Sequence, residues 1–171
     1  MQLKVAELFE IDDVLELHYK YQVDSISEED KKDGFVTTAF TKDELVDLAK
    51  NEKGLFIAKV DGRVVAYVMA GSWEYWSAWP IFQFMIEDLP GLTYRGQSLD
   101  TENSYQYGPI CVDGSVRGSG VLEKIFAFAK AEMSKRYPIL VTFKNKTNAR
   151  GNATQVIFSR LFGNSAKVAD S

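Results

Sequence analysis

The chain has 171 residues, a formal net charge of −4, 46% hydrophobic residues and 26% charged residues. This length suits one domain, so we expect a single domain over residues 1–171. The acidic balance argues against nucleic acid or an anionic membrane as the main partner. One cysteine and one histidine cannot form an internal disulfide or a zinc cluster, so we expect no metal site. Because no apolar run approaches the length of about 20 residues that spans a membrane, and no signal peptide is evident, we expect a cytoplasmic protein.

The chain begins with a predicted strand and a predicted helix. Leu3 and Val5 alternate with polar residues, which is the period of a strand, and Asp12 is expected to cap the helix that follows. The apolar face of that helix comprises Val14, Leu17, His18 and Tyr21. His18 is therefore interpreted as a packed residue. The mixed charges between Ser25 and Gly34 predict a solvated loop.

A capping box and a hairpin follow. Thr41 and Glu44 have the spacing of a capping box, and we expect the helix they begin to end at Gly54. Two β-rich runs, 55–60 and 64–70, flank Asp61-Gly62. Asp-Gly between two such runs predicts a β-hairpin.

The next segment, 73–89, is rich in aromatic residues. Ser77 is expected to cap a helix with Pro80 in its first turn, and Pro90-Gly91 to end it. Either the aromatic side chains form core, or they form the wall of a substrate pocket. In the second case an apolar or cationic ligand would be held, the latter by cation–π contact, with Glu74 supplying negative charge. The candidate substrate-binding residues are Trp73, Trp76 and Trp79.

A polar connection from Thr93 to Gln106 leads to a strand, a glycine-rich turn and a helix. Ile110–Val112 is a short apolar run typical of a buried strand, and Cys111 within it is interpreted as an inert core residue. Gly114, Gly118 and Gly120 interrupt regular structure, and helical spacing resumes afterwards. The turn would deliver free N–H groups and the positive end of a helix dipole, which together suit a phosphate group.

The remaining chain completes a mixed α/β pattern. Ile139–Phe143 predicts a strand parallel to Ile110–Val112, because the helix between them is a crossover. A last helix is predicted from Ala149 to about Leu161, after a cap at Asn148. The fold class is therefore α/β, a sheet with helices on its faces.

This order of elements resembles the superfamily of acyl-CoA-dependent N-acyltransferases, the GNAT fold. Relatives carry Arg or Gln, then Gly three residues later, then Gly or Ala two residues after that. Here Arg117 and Gly120 match this pattern, and Leu122 does not. Asn148 and Arg150 match a second pattern, whereas Gln155 stands where relatives have an aromatic or imidazole side chain. Relatives also close with a strand hairpin. Fewer than ten residues follow Gly163, too few for two strands, so we expect either that the cofactor channel lacks one wall or that a second copy of the chain, as a homodimer, supplies it.

The resemblance implies a mostly antiparallel sheet and a coenzyme A site. Pantetheine would lie along Ile110, Cys111 and Val112, and the pyrophosphate on the turn. The further cofactor-binding residues that the resemblance implies are Arg117, Gly118, Ser119, Gly120, Val121, Leu122, Asn145, Asn148 and Arg150.

The resemblance also implies an activity: transfer of an acetyl group from acetyl-CoA to a primary amine of a small molecule or peptide, by direct attack. Asp113 or Glu74 is the expected base and Tyr105 or Tyr107 the expected acid. Two alternatives stay open. The protein could bind acyl-CoA without turnover, as a sensor or partner subunit, or the aromatic segment could be a protein-interaction surface.

Overall fold

The computed structural model describes residues 1–28, 36–145, 154–160 and 167–169. The chain divides into two compact units. The first unit comprises Met1–Ala70 and Pro109–Ala129, and the second comprises Gly71–Gly108 and Lys130–Ser171. The prediction of one domain stays a prediction. Among the helices of the described residues, none combines the length and the apolar character needed to span a membrane.

Three strands pair in antiparallel fashion in the first unit. β1 lies beside β2 and β2 beside β3, with Leu3 opposite Ala58. The predicted hairpin is confirmed: Asp61 and Gly62 both have positive φ, 50° and 79°, as a two-residue hairpin turn requires. The strands are β1 (Gln2–Val5), β2 (Leu55–Val60) and β3 (Arg63–Gly71).

Two helices precede the hairpin. α1 spans Ile11–Tyr21 and buries the predicted apolar face, His18 included. The predicted cap at Asp12 is wrong, because a 3-10 turn at Leu8–Glu10 leads directly into the helix and places Glu10 at the cap. α2 spans Lys42–Asp47 and begins with the predicted capping box.

The end of the second helical segment differs from the prediction. A π-helical turn, Leu48–Glu52, continues α2, and Lys53 with φ = 51° ends it. Gly54 has a different role, because a Cβ atom there would lie 1.7 Å from the carbonyl oxygen of Ala70. The glycine thus permits close approach of two backbones and does not terminate the helix.

The aromatic segment forms two short helices in the second unit. α3 spans Trp73–Trp76, and α4 spans Pro80–Asp88 with its proline in the first turn, as expected. Ser77 is a correction: it follows the last residue of α3, and Trp79 occupies the cap of α4. The reason is that Ser72 caps α3, a helix that the sequence analysis did not separate from α4.

The segment from Thr93 to Gln106, predicted to be a polar connection, contains a small hairpin and the start of a long strand. This strand, β6, pairs in parallel with β7, from Ser104 opposite Ile139 to Gln106 opposite Val141. α5 is the crossover between them, so the predicted parallel strand–helix–strand unit is confirmed. The elements are β4 (Thr93–Tyr94), β5 (Gln97–Ser98), β6 (Ser104–Val112), α5 (Val121–Met133) and β7 (Ile139–Asn145).

The predicted last helix is wrong where the structure describes it. Thr154–Arg160 is a strand, β8, antiparallel to β7 over its whole length, and β9 (Lys167–Ala169) pairs with it. The run Val156-Ile157-Phe158 favours an extended backbone, and β7 offers it a complete hydrogen-bonding edge. The expectation that closing strands are missing is therefore also wrong. The fold class, mixed α/β with mostly antiparallel pairing, is confirmed.

Candidate functional site

The first unit contains a cavity of about 600 Å³ where β6 leads into the glycine-rich turn. One wall is formed by Ile110, Cys111 and Val112, three of the residues predicted to bind the cofactor. Ile110 is 36% exposed and Cys111 only 4%, because neighbouring side chains of a strand point to opposite faces. The N–H of Asp113 donates to the carbonyl of Val65 at 2.8 Å, which fixes the end of this wall to β3.

The glycine-rich turn closes one end of the cavity. After a 3-10 turn at Gly114–Val116, φ is 75° at Gly118 and 79° at Gly120, values that residues with a Cβ atom rarely adopt. The N–H of Lys124 donates to the carbonyl of Gly120 at 3.2 Å. The N–H groups between them lie in the first turn of α5, where a helix has no acceptor for them. The turn therefore presents donors and a positive dipole end to the cavity, which suits an anion.

The remaining residues of the turn differ in whether they line the cavity. Val121 and Leu122 line the cavity, whereas the hydroxyl of Ser119 donates to the carbonyl of Val116. Arg117 also lines it: its Nε donates to the carbonyl of Val112 at 3.2 Å. The Arg117 guanidinium is thus an exposed positive charge at the rim, at a fixed place.

The last turn of α1 holds the glycine-rich turn through polar contacts. The hydroxyl of Tyr21 accepts the N–H of Gly114 at 2.7 Å, and its ring lies 5.1 Å from the guanidinium carbon of Arg117. Beside it, Nζ of Lys20 donates to Oδ2 of Asp113 at 2.6 Å. Sequence reasoning placed Tyr21 on an apolar face and missed this role. The only indication of this role in the sequence is that a tyrosine, which carries a polar hydroxyl, stands at the end of that apolar face.

Asp113 is the predicted catalytic carboxylate of the first unit. Partial burial raises its pKa, but hydrogen bonds from Lys20 and Ser115 outweigh burial and hold the pKa well below its usual range. The side chain faces a separate polar groove of about 390 Å³, which Lys20 and Arg63 also line. Asp113 is therefore an ionised group that fixes the turn.

A chain of buried polar groups leads from Cys111 into the first unit. The Cys111 thiol is hydrogen-bonded to the hydroxyl of Tyr67, which lies 2.7 Å from Nδ1 of His18. Burial raises the pKa of Cys111 to about 12, so the group is a thiol at neutral pH. Burial also lowers the pKa of His18, opposed by a backbone hydrogen bond at Thr38. Both residues are therefore neutral and packed at neutral pH, which agrees with their interpretation as core residues.

Known proteins resemble this chain in structure. No protein-family model matches the sequence, and no curated protein matches it either. A GNAT family acetyltransferase from Brucella melitensis, solved in complex with acetyl-CoA, superposes with a TM-score of 0.52 at 14% identity, over 99% of this chain and 95% of that one. The chain has the GNAT fold.

Two further solved structures are similar to this chain. The protein smu.2055 from Streptococcus mutans UA159 has a TM-score of 0.56 at 15% identity, over 94% of this chain and 99% of that one. GphF, a GNAT-like decarboxylase in complex with isobutyryl-CoA, has a TM-score of 0.56 at 14% identity, over 88% of this chain and 69% of that one. At such identities the similarity shows the fold alone. One of these structures is a decarboxylase, which illustrates that a shared fold does not determine the reaction.

The predicted substrate-binding residues lie in the second unit. Trp73 and Trp76 have no accessible surface, and Nε1 of Trp73 donates to the hydroxyl of Ser104 at 3.0 Å. Trp79 is half-buried, so of these three tryptophans it alone offers ring surface to a ligand. Glu74 is exposed on α3.

The predicted acids lie on β6, also in the second unit. Tyr107 is 2% exposed and Tyr105 has no accessible surface. Burial raises the pKa of both phenols above the ordinary value, and for Tyr105 the nearby Tyr107 adds to this effect. Both are therefore protonated at neutral pH, as an acid must be.

Three further predicted cofactor-binding residues lie at the end of β7 or after it. Asn145 is the last residue of β7. Asn148 and Arg150 lie outside the described residues. Their predicted roles stay predictions.

Proposed function

We propose that the protein transfers an acetyl group from acetyl-CoA to a primary amine of a small molecule or peptide. One observation carries the proposal: a single cavity joins an apolar strand wall to a glycine-rich turn at the start of a helix. The first feature suits the apolar arm of a thioester donor, and the second suits its phosphates. Two similar structures contain acetyl-CoA and isobutyryl-CoA, which supports a donor of this class.

The residues present fit such a donor. The backbone of Ile110–Val112 would pair with pantetheine, and the amides from Arg117 to Leu122 would hold the pyrophosphate. A Cβ atom built on Gly118 meets nothing within 4 Å. The turn is therefore open where a ligand would approach it. When bound, the donor supplies a carbonyl carbon that its thioester has already activated.

The protein would then contribute alignment, an N–H near Val112 for the developing negative charge, and proton transfer. Glu74 is the carboxylate that we propose as base, since its side chain is exposed. We assign Asp113 to holding Lys20 and the turn, because an aspartate with a lowered pKa is a weak base. Tyr107 is protonated and is proposed as the acid for the departing thiolate.

A second candidate function is binding of acyl-CoA without turnover. The low pKa of Asp113 and the burial of Tyr107 favour it, because each removes a group from easy proton exchange. Acetyl-CoA and CoA should each raise the melting temperature of an active enzyme, and thiol should be released in the presence of an amine panel. Binding without thiol release would support the non-catalytic function. If neither ligand changed the melting temperature, both functions would be refuted.

A further inference from the structure

One carboxylate lines the cavity at the place where the glycine-rich turn ends. Glu123 is an exposed residue in the first turn of α5 and part of the cavity wall. Its Oε2 lies 4.0 Å from the position that a Cβ atom would take on Gly120. No hydrogen bond or ion pair of Glu123 occurs within the described part of the chain. Its charge is therefore not neutralised by a neighbouring cation there.

This carboxylate and a donor phosphate would both be attracted to the start of α5. An acidic side chain in the first turn of a helix is stabilised by the free N–H groups and by the dipole, as a phosphate is. Both are negative, so they repel each other when they are close. Leu122, which is 44% exposed beside Glu123, adds an apolar side chain at the same end of the cavity.

The strand wall of the cavity has no such conflict. Ile110 and Val112 offer a strand backbone and apolar side chains to the arm of a donor, and Tyr21 and Val36 face the same space. Among the described residues that line the cavity, Arg117 has the one positive side chain and Glu123 the one negative side chain. These two charges are equal and opposite, so the described lining offers the phosphates no net positive charge.

We propose that Glu123 is a specificity-determining residue that weakens binding of the phosphate-bearing part of the donor, so that the pantetheine arm dominates recognition. This inference rests on the proposed function. It names the side chain that sets the balance between the two parts of the donor. The alternative is a purely structural role, in which Glu123 only stabilises the start of α5, as acidic residues in a first turn often do.

The test compares Glu123→Gln with Glu87→Gln, which makes the same charge change at an exposed position of α4. Acetyl-CoA carries the phosphates and acetyl-pantetheine lacks them. Calorimetry should show that Glu123→Gln binds acetyl-CoA about five-fold more tightly than the wild type, while its affinity for acetyl-pantetheine is unchanged. Glu87→Gln should bind both ligands as the wild type does.

Salt provides a second measurement. At about 1 M salt, screening acts over about 3 Å, so the gain in acetyl-CoA affinity should largely disappear. A gain in affinity cannot result from a variant that folds poorly, which makes this direction informative. Unchanged or weaker acetyl-CoA binding by Glu123→Gln, or an equal gain for acetyl-pantetheine, would overturn the inference and leave the proposed function intact. If the wild type bound neither ligand, the proposed function itself would fail, and the inference with it.

Discussion

The cavity of the first unit and the aromatic cluster of the second unit, formed by residues 73–89, both have sequence features that suggest ligand binding, but they are built differently. The cavity is bordered in part by exposed side chains, such as Leu122, and by a turn held by polar contacts, such as that of Tyr21 with Gly114. The aromatic cluster is packed, with ring centroids of Trp76 and Phe82 4.8 Å apart. Glycines with positive φ therefore marked a turn beside a cavity, whereas a high density of aromatic residues marked mainly core. Substitutions should consequently change affinity in one region and stability in the other.

The largest effect is expected for Trp76→Ala in the aromatic cluster. Trp76 has no accessible surface, so truncation leaves a large cavity and should lower the free energy of unfolding by about 3–5 kcal/mol. Phe84→Ala on α4 is the control, because Phe84 is 64% exposed and its loss should cost less than about 0.5 kcal/mol. Urea denaturation measures both. Equal losses in the two variants would contradict the description of Trp76 as core.

A smaller effect is expected from the Asp113–Lys20 contact beside the cavity. Because the pKa of Asp113 is lowered in the folded protein, its stabilisation is fully present above the unfolded pKa of about 4 and is lost as pH falls below it. Asp113→Asn should therefore lower the free energy of unfolding by about 2 kcal/mol at pH 7, and by much less near pH 2. Urea denaturation at both pH values checks this. A loss of the same size at both would show that the charge is not responsible.

Tyr21→Phe tests whether α1 shapes the cavity. It removes the acceptor for the Gly114 N–H but keeps the ring beside Arg117. An unsatisfied N–H costs about 1–2 kcal/mol, so acetyl-CoA affinity should fall about ten-fold as the turn loosens. Tyr19→Phe is the control, since Tyr19 is half exposed and does not line the cavity. Calorimetry that finds the same affinity for both variants would show that the contact is dispensable.

The smallest effect is expected for Gly118→Ala. A Cβ atom at Gly118 meets nothing within 4 Å, so the cost comes only from φ = 75° and should be about 1 kcal/mol, with weaker acetyl-CoA binding. Gly91→Ala is matched, because its Cβ atom also meets nothing and its φ is not positive. Gly91→Ala should leave stability within about 0.5 kcal/mol of the wild type. Thermal denaturation that ranks the two variants equally would refute the role of the backbone at Gly118.

Much of the fold was predictable because its signals are local. Asp61-Gly62 specifies a hairpin, Thr41 with Glu44 specifies a helix start, and Gly118 and Gly120 specify a turn at the start of α5. Each depends on residues close together in the chain, where backbone preference and a nearby hydrogen bond decide the conformation. The cavity-lining stretch after Gly108 was found for the same reason.

Other features were decided only by contacts between distant residues. Thr154–Arg160 contains apolar residues that fit a helix or a strand, and pairing with β7 selects the strand. The sequence gives no sign that Tyr21 meets Gly114, because a hydrogen bond between distant residues leaves no periodic pattern.

The sequence alone therefore determined the glycine-rich turn, the hairpin and the class of fold. The tertiary structure decided which residues surround the turn and what they are free to do. In the folded protein, Asp113 forms an ion pair with Lys20, and Trp73 and Trp76 are completely buried. Glu123 is exposed at the cavity. The physical reason is that burial and charge pairing, which set the pKa and the accessibility of a side chain, depend on its neighbours in space.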